Sequence, residues 1–242
     1  MLTEMANKRN IAFPCQTIAI VPAAGSGVRM GEKKAKQFLE LCGKPILAVT
    51  LDHLQRCDLI DRIVVVVPEV DIDYCRREIV EKYNLSKVFR VVSGGKRRQD
   101  SVRRGIETVA DCCEWVLIHD GVRPLITNDL IKRVVKAAKN FRAVIPGLPI
   151  AETVKEIDDH GIVIRSIDRS RLWSIQTPQV FRWDDISLAH KEAIKKSWED
   201  ATDDSFLIEK IGIPVNIIKG EKHNMKITTP QDLDMARSLM AG

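Results

Sequence analysis

The sequence predicts an α/β fold in which a mostly parallel β-sheet is covered by helices on both faces. Continuous apolar runs, typical of strands buried on both sides, occur at residues 18–21, 63–67, 88–92, 115–118 and 143–145. Segments with helical spacing of apolar residues, such as 46–54 and 130–138, separate these runs. The alternation indicates a parallel sheet, because parallel neighbours are usually joined through a helix.

The first of these strands leads into a glycine-rich turn whose composition suits phosphate binding. Gly25 and Gly27 can adopt positive φ and let backbone N–H groups approach an anion. Arg29 and Lys36 follow, seven residues apart, and both cations can reach a triphosphate held by the turn. The alternative is a turn between strand and helix whose glycines serve tight packing alone.

Neither of the two commonest phosphate-binding fingerprints is present in the sequence. A Walker A loop needs Gly-Lys followed by Ser or Thr, whereas Gly43-Lys44 is followed by Pro45. A dinucleotide fingerprint needs a third glycine where Met30 stands. The turn therefore indicates another class of nucleotide-binding protein.

Two later strands also end in residues that suit a ligand site. Gly94 follows the strand at 88–92, and Asp120 follows the strand at 115–118. Ligands of open parallel sheets bind beyond the carboxyl ends of the strands. We therefore expect these residues and the turn around Gly25 to surround one site.

The last third of the chain departs from the alternation. Two β-prone runs, 152–157 and 162–167, flank a turn-like string at 158–161, which predicts a β-hairpin. Residues 215–218 predict a further strand. Thr229-Pro230 predicts a helix start, with Thr as the N-cap and Pro at the first helical position.

Length and charge favour a single α/β domain without a nucleic-acid partner. The chain has 242 residues, a size that one α/β domain commonly reaches. Its net charge of +5 arises from 38 basic and 33 acidic residues, a small excess without the basic stripe of a nucleic-acid-binding protein. The densest basic run, Lys96-Arg97-Arg98 with Arg103-Arg104, is interpreted as a solvated helix start, and nonspecific polyanion binding is the alternative.

Cysteine usage and hydropathy favour a cytoplasmic protein. The six cysteines form no Cys-x-x-Cys pair and have no His at metal-ligand spacing, so we interpret them as reduced or buried thiols. Residues 1–10 are polar, and no apolar run approaches the ~20 residues that a membrane-spanning helix needs. Export and membrane insertion are therefore not expected.

A series of motifs resembles the 2-C-methyl-D-erythritol 4-phosphate cytidylyltransferase family of sugar-phosphate nucleotidyltransferases. The motifs occur in order between about residues 18 and 232. They are Pro22-Ala-Ala-Gly-Ser-Gly-Val-Arg-Met-Gly, Ala35-Lys36-Gln37-Phe38, Gly43-Lys44-Pro45, Ser93-Gly-Gly, Gln99-Asp-Ser-Val102, His119-Asp-Gly-Val-Arg-Pro124, Asp168-Arg169 with Leu172-Trp173, Gln176-Thr-Pro-Gln179, Thr202-Asp203 and Asn224-Met-Lys226-Ile-Thr228.

The resemblance implies a Rossmann-like fold and a homodimer. It places residues 1–242 in one cytidylyltransferase domain with a protruding hairpin arm at about 149–171. In the family this arm clasps a second subunit and delivers residues to that subunit's active site. The implied reaction is attack by a polyol phosphate on the α-phosphorus of CTP, with release of pyrophosphate. Mg²⁺, or another divalent cation, is the implied cofactor.

The resemblance also implies a role for each matching residue. Arg29 and Lys36 would stabilise the pentacoordinate transition state, and Arg169 and Lys226 would hold the attacking phosphate. The nucleotide would contact Ala23, Ala24, Gly25, Gly27, Gly94, Gly95, Ser101, Asp120 and Gly121. The methylerythritol pocket would be lined by Asp120, Arg123, Thr153, Arg169, Thr177, Thr202 and Lys226.

Some details of this site stay open at the level of the sequence. Asp120 is the best carboxylate candidate for the metal, although it equally suits a role as hydrogen-bond acceptor for the ribose or the acceptor substrate. His119 is expected to be structural. Lys96 stands where the family often has an acidic residue, and Gly121 where alanine is frequent, which weakens the cytosine and ribose assignments.

Two other functions compete with methylerythritol phosphate cytidylyltransfer. Ribitol 5-phosphate cytidylyltransferases look similar at the glycine turn and at Gln176-Thr-Pro-Gln179, but Arg169 with Leu172-Trp173 favours methylerythritol phosphate. A noncatalytic protein that binds nucleotides or polyanions is the remaining alternative. The presence of all expected cations argues against it.

Overall fold

The computed structural model describes residues 15–25, 35–109, 113–199 and 201–241. Its strands are, in chain order, β1 (Cys15–Pro22), β2 (Glu40–Leu41), β3 (Lys44–Pro45), β4 (Arg62–Val67), β5 (Val88–Ser93), β6 (Cys113–Ile118), β7 (Ala143–Pro149), β8 (Val154–Ile157), β9 (Val163–Ile167), β10 (Trp173–Ile175), β11 (Gln179–Arg182) and β12 (Asn216–Lys219). Its helices are α1 (Ile46–Arg56), α2 (Ile72–Tyr74, continued in π-helical geometry by Cys75–Glu81), α3 (Arg98–Thr108), α4 (Asn128–Ala138), α5 (Trp183–Lys195), α6 (Asp204–Lys210) and α7 (Pro230–Ala241).

The central sheet is mostly parallel, as the sequence predicts. Its order is β10-β7-β11-β6-β1-β4-β5, with β12 paired in parallel along β7. Only β10 and β11 among the described strands of this sheet run antiparallel to their neighbours. All five apolar runs named above lie in strands, and so do residues 216–218 of the run predicted at 215–218. Strands β10 and β11 were not predicted.

Side-chain alternation along the strands builds a core on each face of the sheet. On β1, Ala19 and Val21 face the layer formed by α1 and α4, while Ile18 and Ile20 face α3, α5 and α6. All four side chains are fully buried. The two cores confirm a sheet that is covered on both sides, which explains why its strands are continuously apolar.

A third, smaller core attaches the C-terminal helix beside the end of β6. Leu233 and Ala236 of α7 pack with Leu41, Val122 and Ile227. The helix begins as predicted at Pro230, and Asp232 N donates to Thr229 Oγ1 (3.3 Å). The Ile227 N–H also donates to the Val122 carbonyl (2.9 Å), so the segment before α7 lies against the loop after β6.

The predicted hairpin forms a two-stranded sheet of its own from β8 and β9. Asp158 builds its turn, because Oδ1 accepts hydrogen bonds from the backbone N–H groups of His160 and Ile162, and Gly161 supplies a φ of +80°. The hairpin leaves large apolar side chains more than half exposed. These side chains are Ile157, Ile162, Val163 and Ile164.

The described cysteines agree with the interpretation as reduced or buried thiols. Cys57 and Cys75 are free and buried, Cys113 is buried, and Cys42 is free and exposed. Burial raises the pKa of the Cys75 thiol to about 12. Among the residues described, no helix has both the length and the apolar character that crossing a membrane demands.

The packing of α3 on the sheet generates a stability prediction at Gly105. A Cβ at this position would lie 2.5 Å from Ile20 Cγ2, in the fully buried core. We expect Gly105→Ala to lower the free energy of unfolding in urea by about 1–3 kcal/mol, because overpacking forces the strand or helix to shift. Helix propensity alone predicts the opposite sign, a gain of about 1 kcal/mol.

Gly25→Ala is the matched control for this substitution. A Cβ at Gly25 would have no described atom within 4 Å, and the residue lacks a positive φ. Its effect on the free energy of unfolding is expected to stay within about 0.5 kcal/mol. A Gly105→Ala protein as stable as the parent would contradict the close packing of α3.

Candidate active site

A cavity of about 230 Å³ opens at the carboxyl ends of the parallel strands. It combines the loops after β1, β5 and β6 with the start of α3 and the segment before α7. Its described lining includes eight of the predicted site residues, namely Ala23, Ala24, Gly25, Lys36, Gly95, Ser101, Asp120 and Lys226. The loops that follow these strands therefore line one common cavity, and its role as a ligand site stays a prediction.

Asp120, at the end of β6, is the centre of the charge arrangement. Its Oδ1 accepts from Arg98 Nε (2.9 Å), and its Oδ2 lies 3.0 Å from Lys226 Nζ and 3.3 Å from Arg123 Nε. Burial by itself would raise the pKa of this carboxyl, but Arg98, Lys226 and Arg123 together hold its pKa well below the usual range. Asp120 is therefore a carboxylate throughout the neutral pH range.

Arg98 links this carboxylate to a second, more deeply buried one. Its Nη1 donates to Asp204 Oδ2 (2.7 Å), at the start of α6, and His190 Nε2 lies 3.4 Å from Asp204 Oδ1. The Asp204 side chain is 1% exposed. The interpretation of Lys96-Arg97-Arg98 as a solvated helix start is therefore wrong for Arg98, because two carboxylates remote in sequence draw its side chain inward.

Lys226 is positioned by contacts of the segment that precedes α7. The buried Asn224 donates from Nδ2 to the Thr177 carbonyl (2.7 Å) and accepts at its own carbonyl from Arg123 Nη1 (2.8 Å). Three motifs that are widely separated in sequence thus contact one another next to Asp120, through Thr177, Arg123 and Asn224. Lys226 extends from this frame to the cavity.

His119 supports the site as a neutral, buried side chain. Burial lowers its pKa to about 4, and Thr177 Oγ1 lies 3.0 Å from its Nδ1. The Arg123 carbonyl can only accept, so Nε2 of the neutral His119 carries the ring proton and donates to it, which leaves Nδ1 to accept from the Thr177 hydroxyl. Thr177 Oγ1 in turn accepts from the Asp120 N–H. The expected structural role of His119 is confirmed. The Thr177 hydroxyl proton is engaged within the protein.

Glycines allow the loops after β1 and β5 to touch. A Cβ at Gly94 would lie 2.3 Å from Ala24 Cβ, and one at Gly121 would lie 2.9 Å from Ala23 Cβ. Arg104 Nη1 clamps the Gly94 carbonyl (2.7 Å). The Gly95 N–H donates to Ser101 Oγ (3.1 Å). Close backbone approach, rather than special φ, is the physical reason for glycine at Gly94 and Gly121.

Only the first residues of the glycine turn are described. Gly25 does not use the positive φ that glycine permits, since the glycines with positive φ among the described residues are Gly43, Gly161 and Gly212. Gly27 and Arg29 lie outside the described residues, so the rest of the predicted phosphate cradle stays a prediction.

Seven of the predicted site residues that the structure describes do not line the cavity. Four of them, Gly94, Gly121, Arg123 and Thr177, are buried or half-buried, and the other three lie on the surface. Thr153, Arg169 and Thr202 are exposed. Arg169 lies between β9 and β10, where its Nη1 donates to the Ala151 carbonyl and Asp168 caps the short helical turn. The fold of one chain thus leaves these residues on its surface, two of them at the base of the hairpin.

The described residues do not build a metal site by themselves. They contain no group of three His, Cys, Asp or Glu side chains that could hold an ion. Asp120, the predicted metal ligand, has both oxygens on cationic side chains. A metal ion would therefore have to displace a cation from Asp120 or take its ligands from the phosphates of a bound nucleotide.

Two residues of the site were missed by sequence reasoning, Arg98 and Asp204. Arg98 lies inside the motif stretch 93–102, and Asp204 directly follows the motif pair Thr202-Asp203. Their position within or beside the motifs could therefore have identified both residues. The composition of the segment could not have identified Arg98, because a basic run at a helix start ordinarily indicates solvent exposure.

Comparison with known proteins gives one consistent result over nearly the whole chain. The family model of IspD, 2-C-methyl-D-erythritol 4-phosphate cytidylyltransferase, matches residues 17–241. The enzyme of that name from Syntrophus aciditrophicus is 43% identical over 225 residues, which cover 93% of this chain and 96% of the relative. The one from Clostridium botulinum is 45% identical and covers 92% of this chain and 98% of the relative.

Solved structures give the same match in three dimensions. The crystal structure of 4-diphosphocytidyl-2C-methyl-D-erythritol synthase from Anaerococcus prevotii superposes with a TM-score of 0.82 at 33% identity. The alignment covers 95% of this chain and all of that one. The Thermus thermophilus 2-C-methyl-D-erythritol 4-phosphate cytidylyltransferase gives a TM-score of 0.75 at 30% identity and covers 92% of this chain and 98% of that one.

The buried, neutral state of His119 predicts how stability depends on pH. The native pKa is about 4, whereas an unfolded histidine titrates near about 6.5. Between these values the unfolded chain binds a proton that the native chain rejects, so the free energy of unfolding falls as the pH decreases. From pH 7.5 to pH 5, His119 is expected to cost about 2 kcal/mol.

A His119→Gln protein should lose less stability over the same pH interval. Glutamine can accept from Thr177 and donate to the Arg123 carbonyl, yet it does not titrate. Urea unfolding at pH 7.5 and pH 5 measures the two differences. His53, whose pKa burial also lowers, contributes equally to both proteins and cancels in the comparison. An identical pH dependence in both would rule out the proposed state of His119.

Proposed function

This chain belongs to the 2-C-methyl-D-erythritol 4-phosphate cytidylyltransferase family, and from that membership we propose how its residues perform the reaction. The enzyme transfers CMP from CTP to 2-C-methyl-D-erythritol 4-phosphate and forms 4-diphosphocytidyl-2-C-methyl-D-erythritol and pyrophosphate. The reaction supplies precursors for isoprenoid synthesis. The observation that carries the residue assignment is the cluster of cations around Asp120 at the carboxyl ends of the strands.

The transfer needs positioning and charge stabilisation more than proton transfer. The phosphate oxygen of the acceptor attacks the α-phosphorus, a new P–O bond forms, and the bond to the bridging oxygen breaks as pyrophosphate leaves with its electron pair. The second pKa of a phosphate monoester is about 6, so the nucleophile is already mostly dianionic at neutral pH. The obstacle is repulsion between two polyanions, which fixed cations reduce.

The cations divide between the two substrates. We assign Arg29 and Lys36 to the charge that develops on the α-phosphoryl group, and Lys226 with Arg169 to the acceptor phosphate. The position of Lys36 in the cavity lining supports its role. Lys226 lies 3.0 Å from Asp120, which keeps its ammonium group at the cavity before substrate arrives. The guanidinium of Arg169 suits bidentate capture of a phosphate.

The nucleotide would lie across the loops after β1, β5 and β6. The backbone at Ala23, Ala24, Gly25 and Gly27 would contact the nucleotide, with Gly94, Gly95 and Ser101 around cytosine and Asp120 and Gly121 near the ribose. Close packing of Gly94 on Ala24 and of Gly121 on Ala23 supports a preformed surface. Arg123, Thr153, Thr177 and Thr202 would complete the methylerythritol pocket.

A divalent cation, Mg²⁺, would bind with CTP. When bound to the phosphates it neutralises part of their charge and polarises the reacting phosphoryl group. We assign its ligands mainly to the nucleotide, because both oxygens of Asp120 already contact cationic side chains. We propose a cytoplasmic location, which the free thiols of Cys42, Cys57 and Cys75 support.

We further propose a homodimer in which each hairpin completes the site of the other subunit. Four large apolar side chains on β8 and β9 and their turn are more than half exposed, a pattern that marks interaction surfaces. Arg169 and Thr153 lie at the base of this hairpin and outside the described lining of their own chain's cavity. A second subunit would bring both residues to a cavity and bury the apolar side chains.

A substrate assay tests the choice of acceptor. Purified protein with CTP and Mg²⁺ is expected to release pyrophosphate rapidly with 2-C-methyl-D-erythritol 4-phosphate and far more slowly with ribitol 5-phosphate. ATP, UTP and GTP in place of CTP test the base preference. The reverse acceptor preference would overturn the assignment. Binding of DNA or RNA at micromolar affinity without turnover would instead favour the noncatalytic alternative.

Complementation tests the shared site. Lys36→Ala should lower kcat at least about 100-fold through loss of one charge-stabilising donor, and Arg169→Ala should impair use of the acceptor phosphate. Mixing the two inactive proteins after brief dissociation should restore part of the activity, because one of the two sites in a mixed dimer receives intact residues from both chains. Lys195→Ala, which removes an exposed cation of α5, is the control for charge alone. Activity no higher than the sum of the separate proteins would reject arm exchange.

A further inference from the structure

We propose that Arg98 is a positioning residue for cytidylyl transfer, which acts through Asp120 to fix the ammonium group of Lys226 where the acceptor phosphate binds. The proposal rests on the role assigned to Lys226 above and extends it to a residue without an assigned function. Arg98 lines the cavity together with both of these residues.

The contacts form an unbroken row from the interior to the cavity. Asp204 Oδ2 accepts from Arg98 Nη1 (2.7 Å), Asp120 Oδ1 accepts from Arg98 Nε (2.9 Å), and Asp120 Oδ2 lies 3.0 Å from Lys226 Nζ. Charges along this row alternate in sign. Each of the two oxygens of Asp120 thus has its own cationic partner, so loss of Arg98 would free one oxygen and allow the carboxylate to tilt.

The position between Asp120 and Asp204 requires the guanidinium group of an arginine, which has separate donors for the two carboxylates. Arg98 presents Nε to one carboxylate and Nη1 to the other, from a backbone anchored at the first residue of α3. A lysine ammonium is a point charge on a flexible stem and cannot span both carboxylates in a fixed geometry. Lysine at this position should therefore keep the charge but lose the alignment of Asp120.

A contribution to the stability of the fold does not by itself explain why these alternating charges are buried. Buried ion pairs bear a large desolvation cost, and well-packed apolar side chains often replace them without loss of stability. Arg98 Nη2 is buried and has no hydrogen-bond partner among the described residues, which adds to that cost. The arrangement therefore indicates a use in the site rather than a contribution to folding.

Charge balance gives a reason for the second carboxylate. Asp120 alone would face three cations, Arg98, Arg123 and Lys226, and these repel one another. Asp204 compensates the charge of Arg98, so Asp120 can hold the other two close together. Within this cluster of three cations and two carboxylates, one net positive charge then remains for the acceptor phosphate.

Steady-state kinetics of Arg98→Lys and Arg98→Ala proteins test the proposal. We expect the KM for 2-C-methyl-D-erythritol 4-phosphate to rise about 10-fold. The KM for CTP should rise clearly less, because Asp120 is only one of several groups assigned to the nucleotide, whereas the acceptor phosphate depends on Lys226 itself. Asp204→Asn, which breaks the inner ion pair and leaves Arg98 in place, should change the same parameter in the same direction. Arg103→Ala is the matched control, because this arginine of the same helix pairs only with exposed Glu107 among the described residues.

A double-mutant cycle with Lys226→Ala separates positioning from general damage. If Arg98 acts through Lys226, Arg98→Lys should cost less than about 2-fold in kcat/KM for the acceptor once Lys226 is absent. A merely structural role predicts the same fold-loss in both backgrounds. The melting temperature of each variant shows whether a loss of activity is caused by a loss of folded protein. If Arg98→Ala does not fold, the double-mutant cycle is measured with Arg98→Lys alone.

The outcomes distinguish this proposal from the function on which it rests. Additive losses, or equal rises in both KM values, would overturn the role of Arg98 and leave the cytidylyltransferase assignment intact. No product from the unaltered chain with CTP, Mg²⁺ and methylerythritol phosphate would reject both. A selective rise in the acceptor KM that disappears in the Lys226→Ala background supports the positioning role.

Discussion

Mutual repulsion among cations is the constraint on which this site depends. A reaction between two polyanions requires several positive side chains close together, yet such side chains repel one another before the substrates arrive. The buried carboxylate of Asp120 resolves the conflict, because it attracts Arg98, Arg123 and Lys226 to within 3.3 Å or less. The same contacts keep the carboxylate ionised despite its burial, so the cluster maintains its own charge.

Sheet topology brings the members of this cluster together. The parallel strands β1, β5 and β6 point their carboxyl ends to one edge, where Gly25, Gly95 and Asp120 line the same cavity. The antiparallel β11 lies between β6 and β7, and the loop before it places Thr177 against both Asp120 and Asn224. The neutral His119 completes the frame without adding a positive charge. The fold thus concentrates cations on the cavity side and neutral hydrogen bonds behind them.

Helices and strands could be predicted from the sequence where residues close together in the chain determine their formation. The apolar runs at 18–21 and 63–67 lie in β1 and β4, and Pro230 begins α7, because burial on both faces and N-terminal capping leave local patterns. Strands β10 and β11 were missed. Their sequences are short and mixed in polarity, and β11 exists because β6 and β7 each offer it an edge. A strand that forms because neighbouring strands pair with it need not show an alternation of apolar and polar residues in its own sequence.

The sequence alone determined the α/β class, the hairpin, the family resemblance and most residues that line the cavity, because motifs and periodicity are local properties. Only the tertiary structure decided what those residues do to one another. Arg98 appeared solvated within a basic run, yet its partners Asp120 and Asp204 are 22 and 106 positions away. Likewise Gly94 was interpreted through the nucleotide, whereas the structure shows contact with Ala24. Ion pairs and close contacts between segments that are distant in sequence depend on how the chain folds in three dimensions. A pattern among neighbouring residues does not show which distant segments come into contact.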